Sequence, residues 1–184
     1  RMKGALVFLI FILLAVVVAA LSGLPGILLR RSDDGGERIS SISMVCAACM
    51  GLIGAVGGLL GYNGKSLALK WPAVGGGSVG LDALSAFFLV PVFLIGGMGA
   101  VYGLSYWPHR RHPVSGLRLR FFWGMLVAGM ALLIIARHAM IFLLGWEIMA
   151  FSAFFLVTAE GHRIASRQAG WIYLISTHVS VLAL

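Results

Sequence analysis

Charge is what this sequence has least of. Charged residues fill 11% of its 184 positions, and only six residues are acidic. Soluble domains carry about a quarter of their residues as charges, so that class is excluded. With 60% hydrophobic residues and a mean hydropathy of +1.01, the chain reads as an all-α polytopic membrane protein. Cysteine is scarce too. Cys46 and Cys49 are too few to ligate an iron–sulfur cluster. With no second pair and no neighbouring histidines, their Cys-Ala-Ala-Cys spacing reads as small packing residues, not a redox or zinc half-motif. Nucleotide signatures are also missing. Gly64-Lys65-Ser66 lacks the leading glycine of a phosphate loop, a place held by Leu59, and no Gly-x-Gly-x-x-Gly follows a strand. No cofactor and no metal is therefore expected. The formal net charge of +8 comes from basic residues between the apolar runs, where they act as topology signals and lipid contacts, so nucleic acid is not an expected partner.

What is present is a series of apolar runs. They predict about six transmembrane helices in a single transmembrane domain, 1–184, at about 4–23, 42–61, 83–106, 121–136, 140–159 and 169–184. The first run, behind Arg1 and Lys3, is longer than the 7 to 15 or so residues of a signal-peptide core, so it reads as a membrane helix. Arg1 stands before Met2, and the last run barely reaches the roughly 20 residues a bilayer needs. The first leaves open a true start at Met2 or a fragment, and the second predicts truncation at the C-terminus. Between the runs, Arg30 to Arg38 reads as a short polar connection in which Asp33, Asp34 and Glu37 offset the arginines. Tyr62 to Gly80 reads as a flexible surface loop. Pro108 to Arg120 reads as a basic loop against lipid, with His109 and His112 lacking the companions a metal site needs.

Helix-level signals sharpen this outline. Asp82 stands where a helix N-cap belongs, its side chain positioned to accept from exposed amides. Gly54-x-x-x-Gly58, Gly57-x-x-x-Gly61 and Gly99-x-x-x-Gly103 predict stripes of close helix approach. Pro91 predicts a bend, and Tyr102, Tyr106 and Trp107 mark a water interface. For orientation, Arg1, Lys3, Lys65, Lys70 and Arg137 fall on one side of the membrane. The other side collects Arg30, Arg31, Arg38, Arg110, Arg111, Arg118, Arg120, Arg163 and Arg167. The richer side is expected to be cytoplasmic, with the N-terminus outside.

One residue breaks the apolar pattern from within. Glu147 is the only ionisable group between Met140 and Val157, and a charge at the bilayer centre costs about 3 kcal/mol or more unless neutralised or paired. Its same-face neighbours Leu143, Leu144, Ala150 and Phe151 are apolar, so a partner has to come from another helix. His178 in the next run is the local candidate. Two readings stand at this point: a proton relay through Glu147 and His178, or a neutral glutamate hydrogen-bonded as structural glue, with His178 held by Ser176 or Thr177.

Two segments carry a family resemblance. Leu81-Asp82-Ala83-Leu84-Ser85-Ala86-Phe87-Phe88 resembles the Asp-x-Leu-Ser-x-x-Phe opening of a helix in the antiporter-like subunits of respiratory complex I. Phe142-Leu143-Leu144-Gly145-Trp146-Glu147-Ile148-Met149 resembles their Trp-Glu helix. The wording is closest to the large proton-conducting membrane subunit of hydrogenase-4 and formate hydrogenlyase, and the resemblance covers about Asp82 to Leu184. It implies a proton-translocating membrane subunit of a hydrogenase-4, formate hydrogenlyase or NADH:quinone oxidoreductase-type complex in a prokaryotic inner membrane. Redox cofactors and electron transfer would belong to partner membrane-complex subunits. Glu147 would contribute to a charged chain along the membrane midplane, with the lysine that usually follows lying beyond this sequence. A full member has about fourteen helices by the same resemblance, so this chain would be an N-terminal portion. An Mrp-like cation/proton antiporter subunit and an inactive membrane scaffold are the alternatives.

Overall fold

In hydrocarbon no water is available to accept a backbone hydrogen bond, so each apolar run has to satisfy its own amides and carbonyls as a helix. The computed structural model describes residues 2–28, 35–62, 64–69, 76–108, 115–159 and 163–182. In chain order these form α1 (Met2–Leu21), the short α2 (Leu24–Leu28), α3 (Gly35–Leu59), strands β1 (Lys65–Leu69) and β2 (Gly77–Leu81), α4 (Ala83–Tyr106), α5 (Ser115–Ile135), α6 (Ala139–Val157) and α7 (Ile164–Leu182). The chain is an all-α polytopic membrane protein. Among the described residues, five helical spans are long and apolar enough to cross a bilayer: Gly4–Ile27, Gly35–Leu59, Ala83–Tyr106, Gly116–Ile135 and Ala139–Val157. The sixth long helix, α7, has 19 residues. Ser166, Arg167 and Gln168 near its start make it more polar than the others.

Three helices start well before their apolar runs, α3 at Gly35, α5 at Ser115 and α7 at Ile164. This corrects two expected loops. Glu37 belongs to α3 rather than to a connection, and Arg118 and Arg120 belong to α5 rather than to the basic loop. The physical reason is that the first turns of a helix leave amides to be satisfied, and polar residues can continue the helix out to the headgroups. Arg1, Arg30, Arg31, Lys70, His109, Arg110, Arg111 and His112 lie outside the described residues.

The core runs between α1, α3, α4 and α5. Leu9, Ile12, Met44, Leu89, Phe93, Val127 and Ile135 are its largest buried helix side chains. Small residues permit this packing. A Cβ on Gly54 would stand 3.0 Å from the Phe8 carbonyl oxygen, so α1 lies directly on α3 there. Between α5 and α6, a Cβ on Gly145 would stand 3.0 Å from the Leu133 backbone nitrogen, and one on Gly129 would stand 2.8 Å from that of Met149. The expected stripes fail at two places. Gly61 lies in the turn after α3 at φ +93°, and Gly103 faces open space.

The expected surface loop after α3 contains a hairpin. β1 and β2 pair antiparallel with Leu67 opposite Val79. Val79 and Leu81 are buried, with Gly80 buried between them, and the glycine-rich flanks obscure the strand in the sequence. Val79 also bridges to Ala136, and the Arg137 amide donates to the Ser78 carbonyl at 2.9 Å. The hairpin therefore ties the α3–α4 connection to the α5–α6 turn.

Asp82 follows the hairpin at the start of α4, where its Oδ1 accepts from the Ser85 amide at 2.6 Å. Its Oδ2 meets the Arg137 guanidinium at 2.8 Å. Arg137 also donates to the Ser85 hydroxyl, which donates in turn to the Ile134 carbonyl, both at 3.0 Å. The Ser85 amide, with the Arg137 charge adding to it, holds Asp82 below the usual carboxylate range. A depressed carboxylate contributes stability above its unfolded pKa and loses it as pH falls through the folded value. Asp82→Ala is expected to cost about 1 kcal/mol through the lost cap. Asp82→Asn keeps the cap and loses the ion pair. Thermal unfolding in detergent should separate wild type from Asp82→Asn at pH 7, and the gap should close as pH drops below about 4.

Candidate functional site

Glu147 is the ninth residue of α6, about 12 Å along the axis from the helix start. The close α5–α6 contact at Gly145 lies on the opposite face of the helix, which leaves Glu147 turned toward α7 as that helix returns antiparallel beside it. That return brings His178 to Glu147, with Nε2 3.2 Å from Oε2. On its other side the ring's Nδ1 is 2.9 Å from the Leu174 carbonyl oxygen. A carbonyl can only accept, so this bond requires the hydrogen on Nδ1 and leaves the Nε2 lone pair facing the carboxyl group. One proton then serves the contact. It rests on the glutamate as a neutral pair or on the imidazole as an ion pair.

The surroundings are aromatic on one side and open on the other. Phe151 meets the imidazole edge-to-face with centroids 5.7 Å apart. Both partners stay partly exposed, Glu147 at 36% and His178 at 40%. Thr177 sends its hydroxyl to the Tyr173 and Leu174 carbonyls, so the ring is held by Leu174 and Glu147. Next to the pair, the Trp146 indole nitrogen is buried with no hydrogen-bond partner among the described residues. Cys46 and Cys49 are exposed free thiols on α3.

No protein-family model matches the chain. Over 99 residues it is 30% identical to hydrogenase-4 component B of Escherichia coli (strain K12). The two are distantly related. The match covers 53% of this chain and 14% of that protein's length, so the chain spans about a seventh of the relative it matches.

A second charged pair lies toward the opposite end of the bundle, formed by two residues that read singly as connection charges. Arg120 of α5 and Glu37 of α3 form a salt bridge in which both side chains are more than nine-tenths buried. The same guanidinium donates to the Gly116 carbonyl at 2.9 Å, to that of Trp107 at 3.2 Å and to that of Gly103 at 3.4 Å. One side chain thus joins α3, α4 and α5. No spacing rule connects residues 83 positions apart. The available signal was depth, because Arg120 directly precedes the Phe121-Phe122-Trp123 run and would enter the bilayer if helix began earlier.

Removing one partner of a buried pair leaves an uncompensated charge, a loss of about 3–5 kcal/mol, whereas replacing both with apolar or neutral groups is far milder. Arg120→Ala is accordingly expected to lower the unfolding midpoint in detergent sharply. Arg120→Met combined with Glu37→Gln should recover most of that loss.

Proposed function

We propose that this chain is part of a proton-translocating membrane subunit, acting within a hydrogenase-4-type or NADH:quinone oxidoreductase-type complex. Glu147 and His178 are the residues assigned to carry the proton. Electron transfer occurs in partner subunits, and the membrane is the prokaryotic inner one with the N-terminus outside. The observation that carries this reading is the 3.2 Å contact between an intramembrane carboxyl group and an imidazole nitrogen whose lone pair is free for it. Such a contact moves a proton between two groups without leaving a bare charge in hydrocarbon. The distant relationship to hydrogenase-4 component B supports a membrane subunit of such a complex.

The chemistry needed from this site is small and specific. The carboxyl group takes up a proton from a hydrated path, passes it across a single hydrogen bond, and recovers its charge only while the imidazolium remains beside it. Partial exposure of both side chains is compatible with such a role, since further helices of the parent subunit, or other subunits, would have to deliver and remove the proton.

Glu147→Gln in the intact complex tests the assignment. Glutamine keeps the hydrogen bond to His178 and cannot exchange a proton with it. Proton uptake into inverted membrane vesicles is expected to fall about a hundredfold. Unchanged proton movement coupled to unchanged electron transfer would instead assign Glu147 to helix packing. Proton movement driven by a sodium gradient without electron transfer would assign the chain to a cation/proton antiporter.

A further inference from the structure

Three donors of α7 converge on one acceptor. The Leu174 carbonyl oxygen lies 2.9 Å from His178 Nδ1 and 2.9 Å from the Thr177 hydroxyl oxygen. Standing four residues before His178 in a continuous helix, it is also the acceptor of the His178 amide. A carbonyl oxygen has two lone pairs, so three donors exceed its capacity. The Thr177 hydroxyl is the donor with an alternative. Its oxygen is 3.1 Å from the Tyr173 carbonyl oxygen, which serves the Thr177 amide with one lone pair and keeps the other for the hydroxyl.

One hydroxyl hydrogen therefore has two stations. With the hydrogen on Tyr173, Leu174 serves the His178 amide and the imidazole, and every donor has a lone pair to itself. With the hydrogen on Leu174, at the shorter of the two distances, it contests the lone pair that the imidazole uses. The neighbouring Ser180 hydroxyl goes to the Ser176 carbonyl at 2.8 Å, so among the described residues Thr177 is the side-chain hydroxyl that competes for Leu174. Glu147 meets the ring at its other nitrogen, Nε2. The contest thus alters how the ring is moored and leaves the carboxyl contact in place.

We propose that Thr177 is a positioning residue for His178, acting through the Leu174 carbonyl. With its hydroxyl on Tyr173 the imidazole stays moored. With its hydroxyl on Leu174 the carbonyl is filled as the ring lets go, so turnover of the ring leaves no lone pair empty there. The consequence for proton movement rests on the relay reading of Glu147 and His178: a moored ring exchanges with Glu147 alone, and a released ring can present its proton to another group. The control of the ring itself does not depend on that reading.

Thr177→Val tests the proposal, because it keeps the branched shape and removes the hydroxyl. Thr177→Ala removes it with a residue that favours helix, and Thr177→Ser restores a hydroxyl able to bond back to the same carbonyls. The full subunit, labelled with nitrogen-15 histidine, is placed in liposomes and studied by solid-state NMR, with the His178 signals identified by their loss in His178→Gln. In both hydroxyl-free variants the Nδ1–H proton resonance should move downfield, as its bond to Leu174 strengthens. Ring turnover, read from relaxation dispersion, should slow about threefold, at the low end of what one hydrogen bond contributes. Thr177→Ser should return both signals to their wild-type values. An unchanged resonance and turnover rate in Thr177→Val and Thr177→Ala, or a serine variant that behaves as they do, would overturn the proposal. These signals report mooring and not transport, so a relay reading that fails in Glu147→Gln leaves this test standing.

Discussion

A charge inside a low-dielectric bundle has to be matched where it stands, and the Arg120 side chain meets that requirement with partners on three helices. Its guanidinium pairs with Glu37 of α3, reaches the last turn of α4 through Gly103 and Trp107, and bonds Gly116 on its own helix. The core above it is apolar and specifies no direction by itself. The pair supplies that direction, because an axial slip of α3 against α5 would strand both charges. Helix starts that look too early by hydropathy alone follow from the same constraint. The first turns of α3 and α5 must remain helical for Glu37 and Arg120 to meet.

The other intramembrane pair obeys a different balance. Glu147 and His178 meet through one interhelical polar contact among the described residues, with Phe151 against the ring, and keep substantial exposure, and the imidazole spends its second nitrogen on its own main chain. The Arg120–Glu37 pair cannot lose its charges without leaving a buried group unsatisfied, which suits a fixed strut. The carboxyl–imidazole contact tolerates either protonation state, which suits a site that changes charge. Asp82 and Arg137 add a third pair at the hairpin end, more exposed than the others, where its work is to join the start of α4 to the α5–α6 turn.

How much of this could be read from the sequence varied with the range of the interaction involved. The apolar runs marked the long helices because a bilayer leaves few alternatives, and α4 begins directly after Asp82 because a cap is a local event. Glu147 stood out because one carboxyl group in an apolar run is conspicuous, and its apolar flanks required a partner from elsewhere. The hairpin was hidden because Val79 and Leu81 are only two apolar residues among glycines. The Glu37–Arg120 pair was hidden because each residue, taken alone, looks like an ordinary headgroup contact. Gly103 looked like a packing glycine and faces open space, since spacing shows that a residue is small and does not show what stands opposite it.

In the proposed relay, the hydrogen bond from His178 to the Leu174 carbonyl would limit proton traffic through this imidazole. A ring that conducts takes a proton on one nitrogen and releases it from the other. Here the second nitrogen is moored to the helix backbone, so whatever arrives at Nε2 has to depart from Nε2 unless the ring turns over. In this geometry His178 is a siding, not a through line. Onward passage depends on a third group reaching the same edge of the contact from the exposed side of α7.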